Sequence, residues 1–167
     1  MNNIILKNGL FGSIIVSALL VFVTMYMKAN PEKEVSMLIG FAVMILAFFF
    51  VAFGIKQQRE ANNGVISFGK AFMTGFWITL IISTIYVLVW LVILYNFFPN
   101  FMEHYANMAI EKASPEEVVK VTEEMNTYKE MYKSPIMVIL LTYMEILPLG
   151  IVFSLVSALI LKKKQTN

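Results

Sequence analysis

From 71 to 98 the chain runs through roughly 28 residues without a charged side chain, about 42 Å of helix at 1.5 Å per residue. A helix bathed in water needs a polar face recurring every 3.6 residues, and this run offers only scattered Thr, Ser and Tyr and one Asn near its end. Its surroundings are therefore hydrocarbon or other helices. Three more blocks read the same way, at about 9–27, 35–55 and 136–161, and each is near the ~20 residues that cross a ~30 Å core. With 59% hydrophobic and 14% charged residues, no soluble domain of this length is in prospect. Since only helices satisfy their own backbone in such short blocks, the expected class is an all-α membrane protein with four transmembrane helices in one domain, 1–167.

The punctuation between the blocks supports those bounds. A signal peptide competes for 9–27, but the run is long for one and no Ala-x-Ala-like site follows Tyr26, Met27 and Lys28, so a retained span is expected. Asn30 is placed to cap the second helix, with Pro31 at its first position and Glu32 and Glu34 in its first turn. That helix continues in polar form through Lys56, Gln57, Gln58, Arg59 and Glu60, and Asn62, Asn63 and Gly64 turn the chain. Ser67 suits the next N-cap, Pro99 and Asn100 end the third span, and Lys162, Lys163 and Lys164 follow the fourth. The length of 71–98 exceeds the hydrocarbon thickness, so tilt or protrusion is expected.

Orientation follows from the basic residues. Lys7, Lys56, Arg59, Lys70, Lys162, Lys163 and Lys164 share one side with Glu60 alone, close to the span ends. Lys28, Lys33, Lys112, Lys120, Lys129 and Lys133 share the other side with nine glutamates. The positive-inside rule then favours an N-in/C-in topology.

The external segment, 99–134, is expected to form an extramembrane amphipathic helical hairpin between helices 3 and 4. Ser114, Pro115, Glu116 and Glu117 have the pattern of a capping box at a helix start. Val118, Val121, Met125, Tyr128 and Tyr132 then fall within about an 80° arc, opposite Glu116, Lys120, Glu123, Glu124 and Thr127. That apolar stripe either closes over the bundle mouth or docks on a partner or a lipid surface.

Chemistry is sparse. There is no Cys, every acidic residue is Glu, and His104 is the single histidine. These numbers leave no ligand stock for a zinc site or a Ser-His-Asp triad, and no Gly-rich phosphate loop or nucleophile elbow is present. The expectation is a protein that is not an enzyme, with no cofactor, no metal and no nucleic-acid partner.

Glu145 is the exception. It lies about 14 Å into the fourth span, where a charged side chain costs about 2.5 to 3.5 kcal/mol, so it should face the bundle interior. Pro148, three residues on, removes a backbone donor and frees the Met144 carbonyl; Thr142, Ser83 and Tyr86 are further candidate partners for Glu145. Gly75, Thr79, Ser83, Tyr86 and Trp90 line one stripe of the third helix. Gly9, Ser13 and Ser17 in the first helix and Gly150, Ser154 and Ala158 in the fourth are small-residue faces suited to close packing.

These landmarks, from Lys7-Asn8-Gly9 through the run Asn63-Gly64-Val65-Ile66-Ser67-Phe68-Gly69-Lys70-Ala71 to Pro99-Asn100-Phe101, Glu145 and the Lys162–Lys164 ending, come in a familiar order. The chain resembles, over nearly its whole length, the bacterial membrane family catalogued as domain-of-unknown-function family 4199. The resemblance implies a four-helix protein of the bacterial inner membrane, and an association with polyprenyl-phosphate glycosyltransferases. Two functions then stand open. One is a non-enzymatic subunit or scaffold packing with a membrane-protein partner or a second copy among the membrane lipids. The other is a small transporter or a polyprenyl-linked lipid flippase that uses an intramembrane carboxyl.

Overall fold

The computed structural model describes residues 3–30 and 37–163 as six helices: α1 (Asn3–Ala29), α2 (Met37–Glu60), α3 (Phe68–Asn96), α4 (Phe101–Lys112), α5 (Val118–Tyr132) and α6 (Pro135–Leu161). Four of them, α1, α2, α3 and α6, are long and apolar enough to cross a membrane, which marks a multi-pass membrane protein. Their outward faces are apolar: Ile14, Phe22, Phe49, Met144 and Ile160 all stand exposed. Hydrocarbon tolerates such faces and water does not.

Small residues decide how the four long helices meet. α1 and α6 each pack against both α2 and α3. A side chain built on Gly150 would meet Phe48 Cε1 at 2.6 Å and also run into Thr79, and one on Gly75 would reach Ser154 and Val51 at 3.0 Å. Gly9 and Gly12 lie as tightly against Ile81 and Ile82. Only the missing Cβ lets these backbones approach, and the gain is dense van der Waals contact around fully buried Phe48, Val51, Ile55, Ile78 and Ile82. At the same level the Thr79 and Ser154 hydroxyls, 3.0 Å apart, both donate to the Gly150 carbonyl, at 3.1 and 2.8 Å.

Polar groups close the end of the bundle that holds the start of α1 and the end of α6. Asn8 donates to Ile4 O and to Gln57 Oε1, both at 2.8 Å. Ile66 and Lys163 exchange backbone hydrogen bonds of 3.0 and 2.9 Å, and Arg59 Nη1 donates to Leu161 O at 3.3 Å. The α2–α3 turn relies on Asn63 and Gly64 in left-handed conformation, φ 54° and 79°, with the Gly64 N–H returning to Arg59 O. Ser67 caps α3, its side chain accepting from the Lys70 N–H.

Several boundaries differ from those the sequence suggests. α1 begins at Asn3, since Asn8 is satisfied by Gln57 and the helix can extend past the apolar block. α3 stops at Asn96 instead of Phe98, because the Phe97 and Phe98 N–H groups both turn back to Ile93 O. Asn30 follows the end of α1, its backbone and side-chain N–H groups bonding Tyr26 O, and the helix start it was expected to cap lies outside the described residues. Pro31, Glu32, Lys33, Glu34, Val35 and Lys164 lie outside the described residues.

The 99–134 segment folds as an α4–α5 hairpin at the other end of the bundle. Its second helix starts at Val118, not at Pro115. The Ser114 hydroxyl donates to the Glu117 carboxylate at 2.8 Å instead of accepting a backbone N–H, so residues 115–117 form a turn before the helix. Met125 buries itself between the two helices with Met102 and Ala106, and Val121 packs beside them.

Candidate functional site

The close-packed glycines all serve one half of the bundle. In the half nearer the hairpin the facing side chains are larger, Leu20, Met44, Tyr86 and Trp90, and the helices leave a half-open cavity of about 200 Å³. Leu19, Leu20, Val23, Thr24 and Met27 of α1, Val43 and Met44 of α2, Tyr86 and Trp90 of α3, and Thr142 and Glu145 of α6 form its wall. The hairpin supplies Phe101 and Tyr132.

Sequence placement explains each of these. On α3, Tyr86 and Trp90 are one turn apart on the stripe that also carries Gly75, Thr79 and Ser83, and all five are buried. On α6, Thr142 and Glu145 are three apart and share a face, as do Val138 and Thr142, whose hydroxyl donates to Val138 O at 2.7 Å. Phe101 opens α4 directly after Pro99 and Asn100, and Tyr132 closes α5 just before the chain returns to the bundle at Pro135. The two hairpin termini thus sit over the bundle together.

Aromatic contacts fix that closure. Trp90 and Phe101 meet edge to face with centroids 4.8 Å apart at 86°, Phe98 meets Phe101 at 5.6 Å, and Phe101 lies 6.3 Å from Tyr132. Tyr132 packs against the cluster that holds Trp90. Burial pushes the Tyr132 phenol up to about 12, with the nearby Glu145 carboxyl adding to the shift and the neighbouring Trp90 side chain opposing it. Tyr132 therefore stays a neutral hydroxyl at any physiological pH.

Among the described residues Glu145 is the one acidic side chain lining this wall, and it is exposed. No described residue hydrogen-bonds it. Thr142 is committed to its own helix, and Ser83 is fully buried with no partner among the described residues, so neither serves Glu145. Tyr86 shares the cavity with it. Pro148 lies beyond the cavity on an exposed face of α6, and the helix runs through it unbroken.

The external candidates separate. Met125 and Val121 are used inside the hairpin and Tyr132 at the cavity, Val118 is half-buried, and Tyr128 is left exposed. His104 rests beside Phe98, 5.9 Å between ring centroids, and no group of three His, Cys, Asp or Glu able to hold a metal ion occurs among the described residues. Thr24 and Phe101 escaped the sequence reading. Thr24 carried a signal, as an isolated hydroxyl in an apolar run, whereas Phe101 is placed by the hairpin's return, which has no local mark.

No curated protein and no solved structure matches the chain. The model of a family described as a protein of unknown function, DUF4199, matches residues 7–163. The chain belongs to the DUF4199 family.

Proposed function

We propose that this protein is a non-enzymatic membrane binding protein of the transporter type, whose site is the Glu145 cavity beneath the α4–α5 hairpin. The observation that carries the reading is a carboxyl within the spans that lines an aromatic-walled cavity and has no hydrogen-bond partner among the described residues. A carboxyl at that depth is costly, and a fold that does not bond it has no structural reason to keep it. The scaffold reading draws less support. The small-residue faces that suggested a partner are occupied within the chain, Gly9 by Ile81, Gly75 by Ser154 and Gly150 by Thr79 and Phe48. A volume of about 200 Å³ suits a compact solute better than a polyprenyl chain.

In this reading the protein sits in a bacterial inner membrane with both ends in the cytoplasm, following its basic residues. The hairpin is then external and the cavity lies in the half of the bundle nearer that side. The polar face of α5, with Lys120, Glu123 and Glu124 exposed, is the solvated back of a cover.

Native mass spectrometry of protein extracted from its own membranes tests this. A bound small molecule near 1:1 is expected, and it should be lost from Val23→Phe, which fills the cavity from a half-buried wall position. A stoichiometric protein partner with no small molecule would overturn the binding role and restore the scaffold.

A further inference from the structure

The chemistry of the wall narrows what the cavity accepts. Among the described residues, four aromatic side chains line it, Tyr86, Trp90, Phe101 and Tyr132, together with a single carboxyl, and neither Lys nor Arg does. An anionic ligand would meet Glu145 with no compensating charge. A neutral apolar ligand would leave that carboxylate desolvated and unpaired. A cation removes both penalties, because the carboxylate supplies a counter-charge whose attraction grows as water is excluded.

The rings decide which cation. Small metal ions hold their water tightly and need several oxygen ligands, whereas this wall offers one carboxyl among the described residues. Ammonium groups bearing carbon substituents are weakly hydrated, and aromatic faces within about 6 Å of the charge replace the water they lose. Trp90, Phe101 and Tyr132 lie close enough to act together, with centroids of 4.8 and 6.3 Å from Phe101. The volume of about 200 Å³ compares with roughly 150 Å³ for a cavity that holds benzene, so the ligand is compact.

We infer that the cavity takes a small organic ammonium cation, seated between Glu145 and the Tyr86, Trp90, Phe101 and Tyr132 rings. This rests on the cavity being a binding site, and it adds the class of ligand.

The test uses the full chain in phospholipid nanodiscs. The protein has two tryptophans, and Trp77 is 44% exposed and away from the cavity, so Trp77→Phe leaves Trp90 as the sole reporter. Choline and tetraethylammonium should change its emission saturably, and 3,3-dimethylbutan-1-ol, the uncharged isostere of choline, should bind about tenfold or more weakly. Glu145→Gln should weaken the two cations by about tenfold or more while leaving the alcohol unchanged. Val23→Phe should abolish all three signals.

If the alcohol binds as well as choline, or if Glu145→Gln keeps full cation affinity, the ligand class is wrong while the cavity stands as a binding site. If neither charged nor neutral probe binds, the inference fails together with the binding role. Cation binding that persists in Val23→Phe lies elsewhere on the molecule and overturns the inference as well.

Discussion

Trp90 of α3 and Phe101 of α4 meet edge to face at 4.8 Å, and this pair joins the hairpin to the membrane-spanning bundle. Edge-to-face pairs are worth about 0.5 to 1.5 kcal/mol beyond the area they bury. Phe101 also touches Phe98, Tyr105 and Tyr132, so one truncation removes several contacts. Phe101→Ala should cost about 2 to 3 kcal/mol, somewhat below a fully buried Phe because Phe101 is half-buried. The loss should be local. Limited proteolysis should cut the 97–117 region faster than in the parent, with the four long helices still protected. Uniform protection would show that the hairpin is held by other contacts.

Two glycines give opposite expectations for the same substitution. At Gly150 an added Cβ meets Phe48 and Thr79 on neighbouring helices, so Gly150→Ala should cost about 1 to 3 kcal/mol through forced separation of α6 from α2 and α3. Gly69, in the first turn of α3, has nothing within 4 Å, and Gly69→Ala should stabilise by up to about 0.5 to 1 kcal/mol. Thermal unfolding in detergent distinguishes them. A harmless Gly150→Ala would show that the helices are not packed as described.

Tyr132 offers a titration. Its phenol is raised from the ordinary 10.0 to about 12, so the folded protein holds the neutral form more tightly than the unfolded chain does. The associated stability is complete below pH 10 and is lost as pH climbs from 10 to 12. At 1.36 kcal/mol per unit the shift corresponds to about 2.7 kcal/mol, which partial exposure reduces to about 2 kcal/mol or less. Tyr132→Phe, which has no phenol to ionise, should therefore fall less steeply than the parent above pH 10. Parallel pH profiles for the two proteins would contradict that burial.

The four long helices were legible in the sequence because hydrocarbon imposes a length and a composition on any segment that crosses it. The burial of Gly75, Thr79, Ser83, Tyr86 and Trp90 was legible for the same reason, as polar and small residues in such a run belong against other helices. The cavity was only half legible. Glu145 stood out by charge, yet its separation from Ser83 and Thr142 depends on hydroxyl rotors that bond their own helix or nothing. Phe101 and Tyr132 reach it through the path of a hairpin that local periodicity does not encode. The capping pattern at Ser114 misled because the Glu117 carboxylate captured the hydroxyl meant for the backbone.

Topology can be read with introduced thiols, since the chain has no cysteine. Asn62 stands exposed in the α2–α3 turn and Thr127 exposed on α5, at opposite ends of the bundle. Thr127→Cys should react with an impermeant maleimide in intact cells, and Asn62→Cys only after permeabilisation. The reverse pattern would invert the orientation, and equal labelling would contradict four spans.

Glu145 makes the last case, because the fold does not use its charge. Its carboxylate forms no hydrogen bond with any described residue and stands open to the cavity. Glu145→Gln therefore removes no bond to any described residue, keeps the side chain's length and leaves the wall intact. It also removes the about 2.5 to 3.5 kcal/mol that a charged group costs at the centre of a span, part of which the cavity already relieves. The variant should insert and fold at least as well as the parent, with a gain of up to about 2 kcal/mol in thermal unfolding, the sign expected where function retains a group that stability does not want. Glu145→Leu should fold comparably, since an apolar wall suits the surrounding Leu20, Val23 and Met44. Should both variants instead lose more than about 1 kcal/mol, Glu145 holds the bundle together through a bond of its own, and the argument for a ligand in its cavity loses its premise.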